Sequence, residues 1–330
     1  MDSAIATFGL TKRYGDLVAV DGLSLQVERG EIYAFLGLNG AGKTTTIRML
    51  LGMIRPTGGS ASILGAPVRA DTRAVWSEVG YLVERPQAYP ELTVRENLEA
   101  ARRLRMIADR RAVDRVIEDL ALTPYADRRA GTLSSGNAQR LGLAKALFHD
   151  PKLLILDEPA NGLDPSGVVE VRELLRGLAR ERGVTVFMSS HILGEVARLA
   201  TRIGIIHEGR LTEEVDAEEL ERRCRRWLVV DGRDRRAVRA ALEAAGFSVD
   251  VDAHGFFELT AERATSHPDH VAQLLVGADL PPTKLDVVQE DLETYFLRLV
   301  GTKNGPTQTN RADDEEQHPM SSRRRNGGVQ

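Results

Sequence analysis

Gly37-Leu-Asn-Gly-Ala-Gly-Lys-Thr-Thr45 stands between an apolar run, Glu31-Ile-Tyr-Ala-Phe-Leu36, and a stretch, Thr45–Leu51, that is apolar at helical spacing up to Gly52. The run reads as a buried strand and the stretch as a helix. Between them lies G-x-x-x-x-G-K-[ST] in its strand–loop–helix setting. Gly37, Gly40 and Gly42 let the backbone turn so that its N–H groups point inward at phosphate oxygens, with Leu38, Asn39 and Ala41 completing the loop. The helix N-terminus at Thr44 and Thr45 adds partial positive charge. Lys43 supplies a full charge for the β- and γ-phosphates, and the Thr44 hydroxyl a ligand for Mg²⁺. The loop predicts a bound nucleoside triphosphate.

At 330 residues the chain has room for more than one domain and a sizeable core. Net charge −4 gives no electrostatic footprint for nucleic acid. The single cysteine, Cys224, excludes an internal disulfide framework and fits a reducing compartment. It sits in Arg222-Arg-Cys-Arg-Arg226 and reads as an inert thiol on a solvated helix face. The first residues lack the basic segment and apolar core of a signal peptide. The most apolar stretches, such as Leu153–Leu156, fall far short of the ~20 residues a bilayer span needs. A membrane role is therefore expected only through a partner.

Residues 4–36 alternate apolar and polar positions and are broken by Gly9, Gly15, Gly22 and Gly30, which predicts short strands and turns. Tyr14, in a polar turn, suits either a purine-stacking aromatic or a plain strand end. Val79–Val83 reads as a strand entering a proline-rich loop, and Thr93-Val-Arg-Glu96 has capping-box spacing for a helix towards Ala108. Helices are expected at 136–148, 168–178 and 192–199, and strands at 152–157, 184–188 and 202–207. This alternation implies a parallel sheet covered on both faces. A composition shift near 215–226 marks a boundary. Beyond it the order strand 227–230, helix 234–245, strands 247–252 and 256–260, helix 268–275, strand 284–288 and helix 290–299 suggests a small split β-α-β domain. Residues 301–330, with hardly any large apolar side chains, are expected to be disordered.

A second chemical element is the apolar strand ending in Asp157-Glu158. An Asp beside the loop can hold Mg²⁺ through its water shell, and Glu158 can polarise the water that attacks the γ-phosphate. A third is Leu133-Ser-Ser-Gly-Asn137, followed by Ala-Gln139-Arg-Leu. Preceding a helix, it makes Ser134 and Gly136 a second anion site.

These residues resemble the signature motif of the ATP-binding-cassette (ABC) ATPases, usually L-S-G-G-Q. The resemblance covers about residues 4–215 and implies an α/β P-loop NTPase of ABC type. Its parts are a RecA-like core, an antiparallel β subdomain and a helical subdomain, here with a small C-terminal α+β domain. With the composition shift near 215–226 and the apolar-poor C-terminus, the expected division is 1–215, 216–300 and a tail, 301–330. The resemblance further implies ATP and Mg²⁺ as ligands, and two copies, or one copy and a second ATPase, packed head to tail over two nucleotides. Tyr14 then matches the adenine-stacking aromatic, and Asn161-Gly-Leu-Asp164 the D-loop at the dimer interface. His191, which alone would read as structural, matches the switch histidine at the γ-phosphate.

Two departures stand out. Where the family has a glutamine that reaches Mg²⁺ and senses the membrane partner, this chain has Val83-Glu84, so Glu84 is the expected metal ligand. Gln87 is a rival with poorer spacing from the strand. Glu84 is similar to the E-loop of bacitracin- and lantibiotic-resistance ABC proteins. In the signature, Ser135 and Asn137 replace the usual residues while Ser134 and Gly136 remain. The resemblance implies the ATPase subunit of a drug or peptide-antibiotic exporter, working with an integral membrane permease at the cytoplasmic face of the cell membrane, with no nucleic acid. A non-transport ABC ATPase on ribosomes or DNA is the alternative. Ribosome-associated members usually carry two cassettes where this chain has one, and Lys43 and Ser134, 91 positions apart, leave no room for the inserted coiled coil of DNA-repair members.

Overall fold

The computed structural model describes residues 3–69, 74–84, 87–192, 194, 196 and 198–301. Left-handed glycines at 9, 15 and 22 shape the first segment into β1 (Ser3–Tyr14), β2 (Leu17–Leu23) and β3 (Gln26–Glu28), both of the latter antiparallel to β1. A run of consecutive apolar residues needs cover on both faces, and β4 (Ile32–Leu36) is buried at every position. The glycine-rich loop follows, then α1 (Lys43–Leu50), which turns Ile47, Met49 and Leu50 inward. β5 (Gly58–Ile63) and β6 (Ala66–Pro67) return to β1, giving an antiparallel sheet of order β2-β1-β5-β6 with β3 also on β1.

After β7 (Val79–Leu82) the chain leaves the sheets for α2 (Val94–Leu104), α3 (Arg111–Asp119) and α4 (Ser135–Leu147). The capping box is present: the Thr93 hydroxyl accepts from Glu96 N–H and the Glu96 carboxylate accepts from Thr93 N–H. α2 stops at Leu104, short of Ala108, because Met106 is left-handed (φ 56°) and the Ile107 amide turns back to the Arg102 carbonyl.

β8 (Leu153–Asp157), α5 (Pro165–Arg182), β9 (Thr185–Ser190), β10 (Arg202–His207) and β11 (Arg210–Asp216) complete the core. α5 outruns the expected 168–178 at both ends: Asp164 caps it, Pro165 opens it, and left-handed Gly183 closes it. The helix expected over 192–199 falls partly on residues 193, 195 and 197, outside the described residues. The sheet order is β11-β10-β4-β9-β8-β7, parallel except for the β10–β11 hairpin. Register sets Leu36 opposite Ser190 and Ser189 opposite Asp157. The carboxyl ends of β4, β9 and β8 therefore lie side by side, which is where open α/β sheets bind ligands.

The remaining elements are α6 (Ala217–Arg223), β12 (Arg226–Gly232), α7 (Arg235–Ala244), β13 (Asp250–Val251), β14 (Phe257–Leu259), α8 (Glu262–Ser266), α9 (Pro268–Gly277), β15 (Pro282–Gln289) and α10 (Leu292–Gly301). Their antiparallel sheet, β13-β14-β12-β15, has the split β-α-β order. The strand expected over 247–252 shrinks to two residues. The Asp252 carboxylate accepts from the His254 and Phe256 amides and closes a tight turn there.

Both ends of this segment return to the parallel-sheet core, where Leu220, Cys224, Tyr295 and Phe296 join Ile32, Leu36 and Leu154 in one cluster. Cys224 is thus buried behind α6, not placed on a solvated helix face. Buried Glu290 fastens the junction, accepting from Arg298 Nε and Nη2 at 2.9 Å each and from Arg225 N–H at 3.0 Å. The Arg298 guanidinium, ahead of that amide, lowers the Glu290 pKa. Beyond Gly301, the tail lies outside the described residues.

Candidate active site

The loop glycines do different work. Gly40 and Gly42 are left-handed, with φ 82° and 108°, which L side chains adopt only under strain. Gly37 is needed for space, since a Cβ there would come within 2.6 Å of the Ile206 carbonyl oxygen. Leu38, Asn39 and Gly40 face solvent while Ala41 is buried. Gly42 begins α1 without a side-chain cap, and the first turn of α1 carries no acidic residue. Its leading N–H groups and partial positive charge are left for an anion.

Lys43 is 5% exposed and curls back on its loop, donating to the Gly37 carbonyl at 2.7 Å and the Leu38 carbonyl at 3.2 Å. Its Nζ lies 3.6 Å from Glu158 Oε1. The Thr44 hydroxyl donates to Asp157 Oδ2 at 2.8 Å, and buried Asp157 accepts from the Ser189 hydroxyl at 2.5 Å through Oδ1. Thr45 is half-buried on the following helical turn. The two hard oxygens of Thr44 and Asp157, adjacent and beside a lysine, are the donor types Mg²⁺ takes.

Glu158 lies just past β8 in the left-handed region, φ 49°, a conformation that costs of order 1–3 kcal/mol for a non-glycine residue. Three contacts hold it there. Its N–H donates to the Ser189 hydroxyl at 3.0 Å, its carbonyl accepts from Gln139 Nε2 at 3.2 Å, and its carboxylate meets His191 Nδ1 at 3.0 Å. Lys43, Thr44, Asp157, Glu158 and His191 are therefore brought together. Ser189 and Gln139 escaped the sequence reading. The signals were Ser189-Ser-His at a strand end and a glutamine one turn into the signature helix.

Ser134 caps α4, its hydroxyl accepting from Asn137 N–H at 3.3 Å. Ser135 Oγ donates to the Gly162 carbonyl at 3.2 Å, and Gly136 packs beside Gly162 and Leu163. Asp164 caps α5, and its pKa is lowered by the Ser166 hydroxyl and then the Gly167 amide. Among the described residues no hydrogen bond or ion pair joins Ser134 or Gly136 to the phosphate loop. Tyr14 ends β1 half-exposed, with Lys12 Nζ 4.9 Å from its ring centroid. Glu84, also left-handed at φ 57°, pairs with Arg48 of α1; among the described residues no hydrogen bond or ion pair joins it to Thr44 or Asp157. Gln87 offers its carbonyl, not its side chain, to Lys145.

The family model described as "ABC transporter" matches residues 20–161. The chain is 40% identical over 301 residues to the bacitracin transport ATP-binding protein BcrA of Bacillus licheniformis, covering 91% of this chain and 98% of that one. It is 37% identical over 303 residues to the Nod factor export ATP-binding protein I of Burkholderia orbicola, covering 88% and 94%. Among solved structures, the dimeric bacterial ABC transporter cassette MJ0796 superposes with a TM-score of 0.60 at 25% identity, over 64% of this chain and 98% of that one. The loop, the paired carboxylates at the strand end and this full-length likeness together show that the chain belongs to the ATP-binding proteins of the ABC transporters, and that it binds ATP and hydrolyses it.

Proposed function

We propose that the chain is the ATPase subunit of an exporter for a peptide antibiotic or another drug. The observation that carries this reading is the extent of the likeness to the bacitracin transport ATP-binding protein. At 91% of the chain it takes in the split β-α-β segment as well as the cassette. Glu84 at the loop position after β7 supports the same subgroup.

In this reading the chain divides at 1–215, 216–300 and 301–330. The phosphate loop from Gly37 to Thr45 holds the triphosphate and Tyr14 stacks on the base. Thr44 and Asp157 would hold Mg²⁺, which would supply positive charge to offset that of the triphosphate. Glu84 joins that pair only when its contact with Arg48 breaks. Lys43 releases its loop carbonyls to take the γ-phosphate. Glu158, steered by His191 and by its strained backbone, orients the attacking water and accepts its proton. Ser134 and Gly136, which no hydrogen bond or ion pair among the described residues joins to the chain's own phosphate loop, serve the nucleotide of a second protomer. ATP thus closes a dimer, homodimeric or with a second ATPase, and hydrolysis reopens it.

Among the described residues no helix is long and apolar enough to cross a membrane. Transport then requires a separate permease, which would hold this chain at the cytoplasmic face. Half-exposed Met53, Tyr81 and Tyr89 and exposed Leu104 border a cleft beside Glu84 and supply an apolar surface for it. The test is capture of tagged Glu158→Gln protein from detergent-solubilised native membranes with ATP. A multi-span protein in stoichiometric amount supports the exporter. Recovery with ribosomes or DNA and no permease rejects it.

A further inference from the structure

The left-handed backbone of Glu158 lasts only while its surroundings over-determine it. The segment it opens, Glu158 to Gly162, lines a cavity of about 180 Å³ together with Val171, Leu175 and Val196, so packing on that side is thin. Hydrogen bonds must hold the segment instead. Its start is anchored by Ser189, His191 and Gln139. Its end has less. Among the described residues, Ser135 is the one side chain hydrogen-bonded to residues 160–163, its hydroxyl donating to the Gly162 carbonyl at 3.2 Å. Ser135 and Gln139 stand four apart on α4, so a single helix face grips both ends of the segment.

We propose that Ser135 is a positioning residue for ATP hydrolysis: its hydroxyl tethers the far end of this segment and so keeps the Glu158 carboxylate in line with the attacking water. The inference rests on Glu158 as the base and adds what holds it in place. A glycine, usual at this place in the signature, has no hydroxyl to give. The tether therefore comes from the residue by which this chain departs from the motif.

The two serines of the signature divide their work. Ser134 caps α4, its hydroxyl accepting from the Asn137 amide, and the helix start does not need Ser135 for that purpose. Ser135 is exposed, so removing its hydroxyl opens no cavity in the core and leaves no buried partner stranded. What its loss frees is the Gly162 end of a thinly packed segment whose other end is the base. A neutral hydrogen bond of this kind is worth about three- to tenfold in an equilibrium, and the same factor is expected in the rate.

The test is a mutant cycle on the full chain, read as ATP hydrolysis, ATP affinity and urea unfolding. S135A should lower kcat about three- to tenfold with affinity and unfolding midpoint unchanged, and S135T, which keeps the hydroxyl, should restore most of the loss. In E158Q protein, where the base is already gone, adding S135A should change the residual single-turnover rate less than twofold. It should also leave nucleotide-driven association of that protein as it was. Wild-type kcat in S135A overturns the proposal, as does an S135T no faster than S135A. So does a loss of the same factor in the E158Q background, which would mean that Ser135 acts other than through Glu158. Loss of association with S135A overturns it too, by making Ser135 a nucleotide contact. Near-normal turnover in E158Q alone rejects Glu158 as the base, and this proposal with it.

Discussion

Gly80→Ala tests how tightly the signature helix is tied to the catalytic strand. A Cβ at Gly80 would lie 2.1 Å from the Ala146 carbonyl oxygen and 2.8 Å from Leu154 Cδ2. An ordinary carbon–oxygen contact needs more than 3 Å, and the closer of the two atoms is helix backbone that no rotamer change can move. Relief therefore requires α4 to slide by roughly 1 Å from β7, an overpacking of the kind that costs about 1–3 kcal/mol. Across the same helix, that slide would pull Gln139 from the Glu158 and Pro159 carbonyls, now 3.2 and 2.9 Å away. Misplacement on this scale is worth up to ~100-fold in rate. Denaturant unfolding should show the stability loss and steady-state ATP hydrolysis a fall in kcat larger than any change in ATP affinity. A variant with stability within about 0.5 kcal/mol of wild type and unchanged kcat would refute the coupling.

Other outcomes follow from individual contacts. Glu158→Gln keeps a hydrogen-bond partner for His191 but loses the base, so hydrolysis should drop about 10²–10⁴-fold in a phosphate-release assay while ATP binding persists; near-normal turnover removes Glu158 from that role. Tyr14→Ala should weaken ATP binding about 3- to 10-fold by titration of a fluorescent analogue, the worth of one aromatic stack, with kcat little changed. For His149, burial and then the Arg105 charge push the pKa from 6.5 down to about 4. The unfolded chain therefore binds more protons between those values, and stability present above pH 6.5 is lost as the pH falls towards 4. Urea unfolding should lose on the order of 2 kcal/mol across that window, after allowance for partial exposure, and His149→Gln should flatten the profile.

The order of elements and most of the candidate site's clustered side chains could be read from the sequence because their signals are local. A strand, a glycine loop and a helix are contiguous from Glu31 to Leu51, and Asp157-Glu158 ends its own apolar run. Capping at Thr93 was visible for the same reason. What could not be read depends on which residues meet across the fold or on backbone angles that leave no mark in composition. The strain at Glu158 and Glu84, the early stop of α2 at Met106, and the grip of Gln139 on Glu158 belong to that class. So does the return of Tyr295 and Phe296 to the core around the parallel sheet. A boundary inferred from composition near 215–226 gave no hint that the segment's two ends are packed together.

The central claim is that one chain carries half of each nucleotide site. Sedimentation of Glu158→Gln protein with and without ATP and Mg²⁺ tests it most directly. The account predicts a monomer that becomes a dimer with two bound nucleotides, and loss of that dimer, but not of nucleotide, on adding Ser134→Arg. A protein that binds ATP stoichiometrically and stays monomeric, or dimerises equally well with Ser134→Arg, would contradict it.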